Sequence, residues 1–160
     1  MTKSSKFAAI GIRKITGGRD PVVMVEDFIV KLGFDPAKCK KDQTPDLKRW
    51  MLAVSEGEEL ELLLEGLRQP NESTLYMGIN VLPVPIRGAD EVLAAALEVA
   101  DGLVGVKISL VGHYLVMSAG LPTAGLSVDE LEYFYKLIIA QLPWFKEAIA
   151  EELDLETSAP

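Results

Sequence analysis

The chain has 160 residues, of which 49% are hydrophobic and 25% charged, and its net charge is −8. This length and composition predict one globular domain with its own core and exclude wholesale disorder. No run reaches the ~20 unbroken apolar residues of a membrane span, so no membrane partner is expected. The start lacks a secretory signal pattern. Because the single cysteine, Cys39, cannot form an intramolecular disulfide, we expect a cytoplasmic protein.

The charge is unevenly distributed along the chain. Residues 1–49 contain 11 basic and 6 acidic residues, a net charge of +5, whereas residues 50–160 contain 5 basic and 18 acidic residues, a net charge of −13. An acidic body disfavours nucleic acid, because phosphate contacts supply most non-specific affinity. We interpret residues 1–19 as a basic arm, which is either a solubilising tail or a contact for an anionic partner or the acidic half of another copy. Residues 154–160 are expected to be a frayed acidic tail.

The sequence of residues 20–46 predicts one helix followed by a loop. Asp20-Pro21 supplies a capping side chain and a fixed φ at the first turn, and Gly33 ends the helix. Its core-facing side chains form one stripe: Met24, Val25, Phe28, Ile29 and Leu32. The polar stretch 35–46 contains two prolines and predicts a loop.

Five strands are predicted by alternation of apolar and polar side chains. In the clearest one, Leu60, Leu62 and Leu64 point one way while glutamates point the other way. Such a strand has one buried face and one wet face, as antiparallel sheets do. The predicted strands cover about residues 50–55, 59–65, 75–81, 104–110 and 114–119.

Two more helices complete the pattern. One spans residues 89–101, with Gly102 past its end. The last begins at the capping box formed by Ser127 and Glu130, and Pro143 is expected to kink or break it. The order helix, three strands, helix, two strands, helix predicts a single α+β domain over residues 20–153. We expect an antiparallel sheet with its helices packed mainly on one face.

The sequence offers no motif for catalysis or metal binding. His113 falls in a predicted hairpin turn without a partner motif, and we interpret it as an exposed turn residue. Cys39 stands among lysines that would lower its pKa, but we favour an unreactive loop cysteine. One histidine and one cysteine do not supply a zinc site. We therefore expect no catalytic residue, no cofactor, no metal and no enzyme activity.

The middle helix is more apolar than a helix lying on a sheet requires. Its four acidic residues fall within an arc of about 100°, and the remaining arc of about 200° is apolar, twice the usual stripe. The surplus is covered either by the C-terminal helix or by a second subunit. The candidate interface residues are Val92, Ala96 and Val99, together with Val23 and Val30 of the first helix.

Three stretches carry a resemblance to a known family. They are Val25, Phe28 and Leu32-Gly33-Phe34; then Asn80-Val81-Leu82-Pro83-Val84; and finally Gly125-Leu126-Ser127 with Leu131, Tyr135 and Phe145. In order and spacing the chain resembles the type III secretion chaperone-like fold and, within it, the YbjN family of bacterial proteins. The basic arm before Asp20 is extra to that fold.

The resemblance implies a non-enzymatic domain, often dimeric, that binds or regulates other proteins, since secretion chaperones use apolar patches to hold extended partner segments. We therefore expect a chaperone-like protein-binding or regulatory module with a protein partner, self-associating as a homodimer. The alternatives are a small enzyme whose site lacks any sequence motif and a structural subunit of a larger assembly.

Overall fold

The helices and strands follow one another in the predicted order, with two additions. A computed structural model describes residues 19–69 and 72–158, so the predicted basic arm lies outside the described residues except for Arg19. The elements are α1 (Pro21–Lys31), α2 (Pro36–Cys39), β1 (Lys40–Gln43), β2 (Lys48–Ser55), β3 (Glu58–Glu65), β4 (Thr74–Pro83), α3 (Ala89–Ala100), β5 (Lys107–Val111), β6 (Tyr114–Pro122) and α4 (Val128–Ser158).

One antiparallel sheet organises these elements, with the strand order β1-β2-β3-β4-β6-β5. Leu62 pairs with Trp50 on one side and with Met77 on the other, and all three side chains are fully buried. Helix α4 packs across β4 and β6, while α1 contacts β3 and α4, and α3 contacts α4 and β5. The predicted α+β class and antiparallel sheet are thus confirmed.

The predicted loop over residues 35–46 contains the two additional elements. The Asp35 side chain accepts a hydrogen bond from the backbone N–H of Ala37 at 3.0 Å, and Pro36 fixes the first helical φ of α2. Strand β1 then pairs with β2 at the edge of the sheet. All four of its residues are exposed, so it lacks the apolar alternation by which strands are recognised in a sequence.

The capping box predicted at the start of the last helix is confirmed. The backbone N–H of Ser127 donates to Glu130 Oε2 at 2.9 Å, and the N–H of Glu130 donates to Ser127 Oγ at 3.2 Å. The helix does not end at Pro143 but runs to Ser158, into the segment predicted to fray. Leu142 and Phe145 are buried on either side of Pro143, and their packing offsets the hydrogen bond that proline cannot make.

Candidate protein-binding surface

The five predicted interface residues lie in two different environments. On α3, Val92 and Ala96 are only 7% and 2% exposed, and Val99 is half-buried. These residues belong to the core or pack against it, where α3 meets α4 and β5. Val23 and Val30 are exposed on α1. Within one chain, therefore, the C-terminal helix and the sheet already cover most of the wide apolar arc of α3.

One uncovered apolar surface involves α3, β5 and β6. Leu97 of α3 is 77% exposed, and Leu110 and Val111 of β5 are 51% and 55% exposed. Leu110 pairs with the buried Leu115 and so faces the helices, whereas Val111 pairs with Tyr114 and faces the opposite side. We call Leu97, Leu110, Val111 and Tyr114 the β5 margin. It presents apolar side chains on both faces of one strand.

Strand β5 is also a free edge of the sheet. It pairs with β6 along its whole length, and no strand among residues 19–69 and 72–158 pairs with its other side. The opposite edge, β1, consists of Lys40, Lys41, Asp42 and Gln43, and lysines at an edge discourage further pairing. Apart from Lys107, β5 lacks such charges. An apolar edge with unpaired backbone groups is suited to accept another strand.

Sequence reasoning missed the β5 margin for a definite reason. Leu97 sits at the boundary between the apolar arc and the acidic arc of α3, so a helical projection does not single it out. That β5 is an edge follows from the strand order, in which β6 inserts between β4 and β5. The alternation of side chains gives no information about that order.

The face of the sheet opposite the helices carries an open depression with a volume of about 530 Å³. Three charged residues of its lining form ion pairs: Arg49 contacts Glu61 at 2.8 Å and Asp42 at 3.1 Å, and Glu58 contacts Lys146 at 3.0 Å. A hydrogen bond from Ser55, reinforced by Lys146, lowers the pKa of Glu58. This carboxylate therefore stays ionised near neutral pH and is not suited to act as a general acid.

The two residues considered for chemistry have other surroundings. His113 is exposed in the turn between β5 and β6, where its carbonyl accepts the Val84 N–H at 2.7 Å. Cys39 is buried, and burial, together with the negative charge of Asp35, raises the pKa of its thiol despite Lys41. Residues 19–69 and 72–158 contain no cluster of three or more His, Cys, Asp or Glu side chains able to hold a metal ion.

The part of the chain that the structure describes contains no candidate membrane-spanning helix. No helix of the described residues combines the length and the apolar character that crossing a bilayer requires.

The fold is the type III secretion chaperone-like α+β fold. The sequence matches no protein-family model and no curated protein. Among solved structures, the chain is similar to a chain of the ExsC–ExsE complex, with 14% identity and a TM-score of 0.55 over 81% of this chain and 95% of that chain. It is also similar to a chain of the HopA1–SchA chaperone–effector complex, with 16% identity and a TM-score of 0.50 over 79% and 92% of the two chains.

Proposed function

We propose that this protein is a chaperone-like, protein-binding module that holds an extended segment of a partner protein at the β5 margin. The observation that carries the proposal is the free edge of β5, which has the exposed Leu110 on one face and the exposed Val111 on the other. The fold, shared with a chain of a chaperone–effector complex, supports it. The role is non-enzymatic.

Strand addition explains how such a surface would bind. An extended segment laid along β5 exchanges backbone hydrogen bonds with the outward N–H and C=O groups of the strand, which gives affinity without a fixed sequence. Its side chains alternate between the two faces of the sheet. One set meets Leu97 and Leu110, and the other set meets Val111 and Tyr114. Apolar residues at alternate positions are therefore the chemistry that the partner segment needs.

A second copy of the chain carries the same edge, and we include self-association in the proposal. Two β5 strands related by a twofold axis pair antiparallel, which is the isologous contact that most homodimers use. Leu97 would border this contact, which moves the predicted dimer surface of α3 from Val92 and Ala96 to its exposed flank. We also propose that the chain is related to the YbjN family, which the Leu32-Gly33 end of the first helix supports. The proposed location is the cytoplasm.

Charge substitutions at the β5 margin test this function. Leu110→Glu places a carboxylate where an added strand would bury it, and we expect at least a tenfold loss of bound protein in affinity capture from the native cell extract. Val30→Glu is the matched control, since Val30 is an equally exposed apolar residue on α1. Sedimentation velocity of the wild type and of both variants measures self-association.

The outcomes separate the parts of the proposal. Loss of captured protein in Leu110→Glu but not in Val30→Glu supports binding at β5, and the reverse pattern moves the contact to α1. A wild type that sediments as a monomer at high concentration rejects the homodimer and leaves partner binding to the capture experiment.

A further inference from the structure

Helix α4 carries a second apolar stripe on the side away from the sheet. Tyr133, Leu137, Ala140 and Trp144 are spaced by four, three and four residues, which places them on one face of the helix. The side chains that pack on the sheet lie on the other face: Leu131, Ile138, Leu142, Phe145 and Ile149. Tyr133 and Ala140 are exposed, and Trp144 is 45% exposed. Nothing in the described residues covers this stripe completely.

The loop after α3 extends the stripe and is fixed against it. The backbone N–H of Val104 donates to Gln141 Oε1 at 2.8 Å, and Gln141 Nε2 donates back to the Val104 carbonyl at 2.9 Å. The Trp144 ring lies against the backbone of Gly102, where a Cβ atom would come within 2.8 Å of it. Val104 itself remains exposed. We call Tyr133, Ala140, Trp144 and Val104 the α4 patch.

Exposed acidic residues border the α4 patch. Glu98 and Asp101 lie at the end of α3, and Glu147 and Glu151 lie one and two turns beyond Trp144. All four are exposed, and none forms a salt bridge with a residue in the described part of the chain. An apolar centre with an uncompensated negative rim is complementary to a segment that combines apolar and basic side chains.

The chain itself contains such a segment. Residues 1–18 include Lys3, Lys6, Arg13 and Lys14 and no acidic residue, and the apolar run 7–12 (FAAIGI) lies between the two basic pairs. This is the composition that the α4 patch would select, and the rest of the chain has no other stretch of this length without an acidic residue that is as basic.

Position and length allow the contact within one molecule. The described chain begins at Arg19, which lines a shallow depression together with Ser127 and Asp129 at the start of α4. Trp144 lies about 22 Å farther along the helix axis than Asp129, at the usual rise per residue. The stretch from Phe7 to Gly18 spans up to about 40 Å when extended, so its length is sufficient to reach Trp144.

We propose that residues 1–18 bind the α4 patch of their own chain. The apolar run packs on Tyr133 and Trp144, and Lys3 and Lys6, which precede the run, face Glu147, Glu151 and the acidic end of α3. The inference concerns a surface separate from the β5 margin and holds whether or not β5 binds a partner.

Tryptophan fluorescence tests the contact in the full chain. The other tryptophan, Trp50, is fully buried, so quenching by acrylamide reports mainly on Trp144. The double variant Lys3→Glu/Lys6→Glu reverses two charges of the segment and is expected to release it, with a roughly twofold rise in the quenching constant. Raising the salt concentration should have the same effect on the wild type, because exposed ion pairs are screened.

A charge swap provides the control. Adding Glu147→Lys/Glu151→Lys to the double variant should restore the low quenching, whereas adding Glu59→Lys/Glu65→Lys on the opposite face of the sheet should not. Equal quenching in the wild type and Lys3→Glu/Lys6→Glu would overturn the proposal. Protection of Trp144 that appears only at high protein concentration would also overturn it, since the segment would then be binding a second copy.

Discussion

Glu132 joins the first and last helices through two lysines. Lys136, one turn farther along α4, contacts its Oε1 at 2.8 Å, and Lys31 at the end of α1 contacts its Oε2. Lys31 also contacts Asp129 at 3.3 Å. The hydrogen bonds from Lys136 and Lys31 lower the pKa of Glu132 to about 2, from an ordinary value of 4.5. The negative charge of Glu132 therefore stabilises the folded state.

A pH dependence of stability follows from that lowered pKa. The ionised Glu132 stabilises the folded protein fully above pH 4.5, and the contribution is lost as the pH falls toward 2. We expect Lys31→Gln to move the titration midpoint of the Glu132 carboxyl, followed by carbon NMR, upward toward 4.5. Glu132→Gln should flatten the fall in melting temperature between pH 5 and pH 2. A wild-type midpoint near 4.5 would contradict the structural account.

Helices and strands could be predicted from the sequence where their pattern lies within a few neighbouring residues. The spacing of Ser127 and Glu130 predicted where α4 begins, and the Leu60–Leu62–Leu64 alternation predicted β3 with its buried face. Strand β1 escaped prediction because its polar residues are held by pairing with β2. The continuation of α4 through Pro143 depends on tertiary packing, which local helix propensity does not predict.

The capping box at the start of α4 gives a measurable energy. Ser127→Ala removes the oxygen that accepts the Glu130 N–H, and we expect the free energy of unfolding to fall by about 0.5–2 kcal/mol. Urea denaturation followed by circular dichroism measures this difference. Ser127→Thr keeps an acceptor at the same position and should lose much less. An unchanged midpoint for Ser127→Ala would mean that the cap contributes nothing to stability.

For the whole molecule, the sequence predicted the class of fold but could not predict which surfaces are covered. The helical projection of α3 correctly showed that a wide arc needs a partner, and the structure places α4 and β5 against most of it. The projection places Leu97 at the edge of that arc, and only the three-dimensional arrangement shows that Leu97 is exposed whereas Ala96, one residue earlier, is buried. The candidate site changed for that reason.

Neighbouring substitutions on α3 test this assignment. Ala96→Glu places a carboxylate inside the single-chain core, and we expect a loss of about 3 kcal/mol or more in the free energy of unfolding. Leu97→Glu should change it by less than about 0.5 kcal/mol, as is usual for exposed positions. Urea melts of both variants measure the contrast. If Ala96→Glu instead gave a stable, folded monomer from a wild-type dimer, a second subunit would be what covers this face.

Strand β4 belongs to two strand pairs that differ in sequence separation. Strands β2, β3 and β4 pair with their immediate neighbours, whereas Thr74 of β4 pairs with Pro122 of β6, across an intervening helix and strand. Because closing a longer loop costs more entropy, the β2–β4 meander is expected to form before β6 joins it.

During synthesis, the part of the sheet that Ile138, Leu142 and Phe145 cover must wait until α4 has been made. A nascent chain stalled before residue 131 would therefore display its own apolar sheet face to the surroundings.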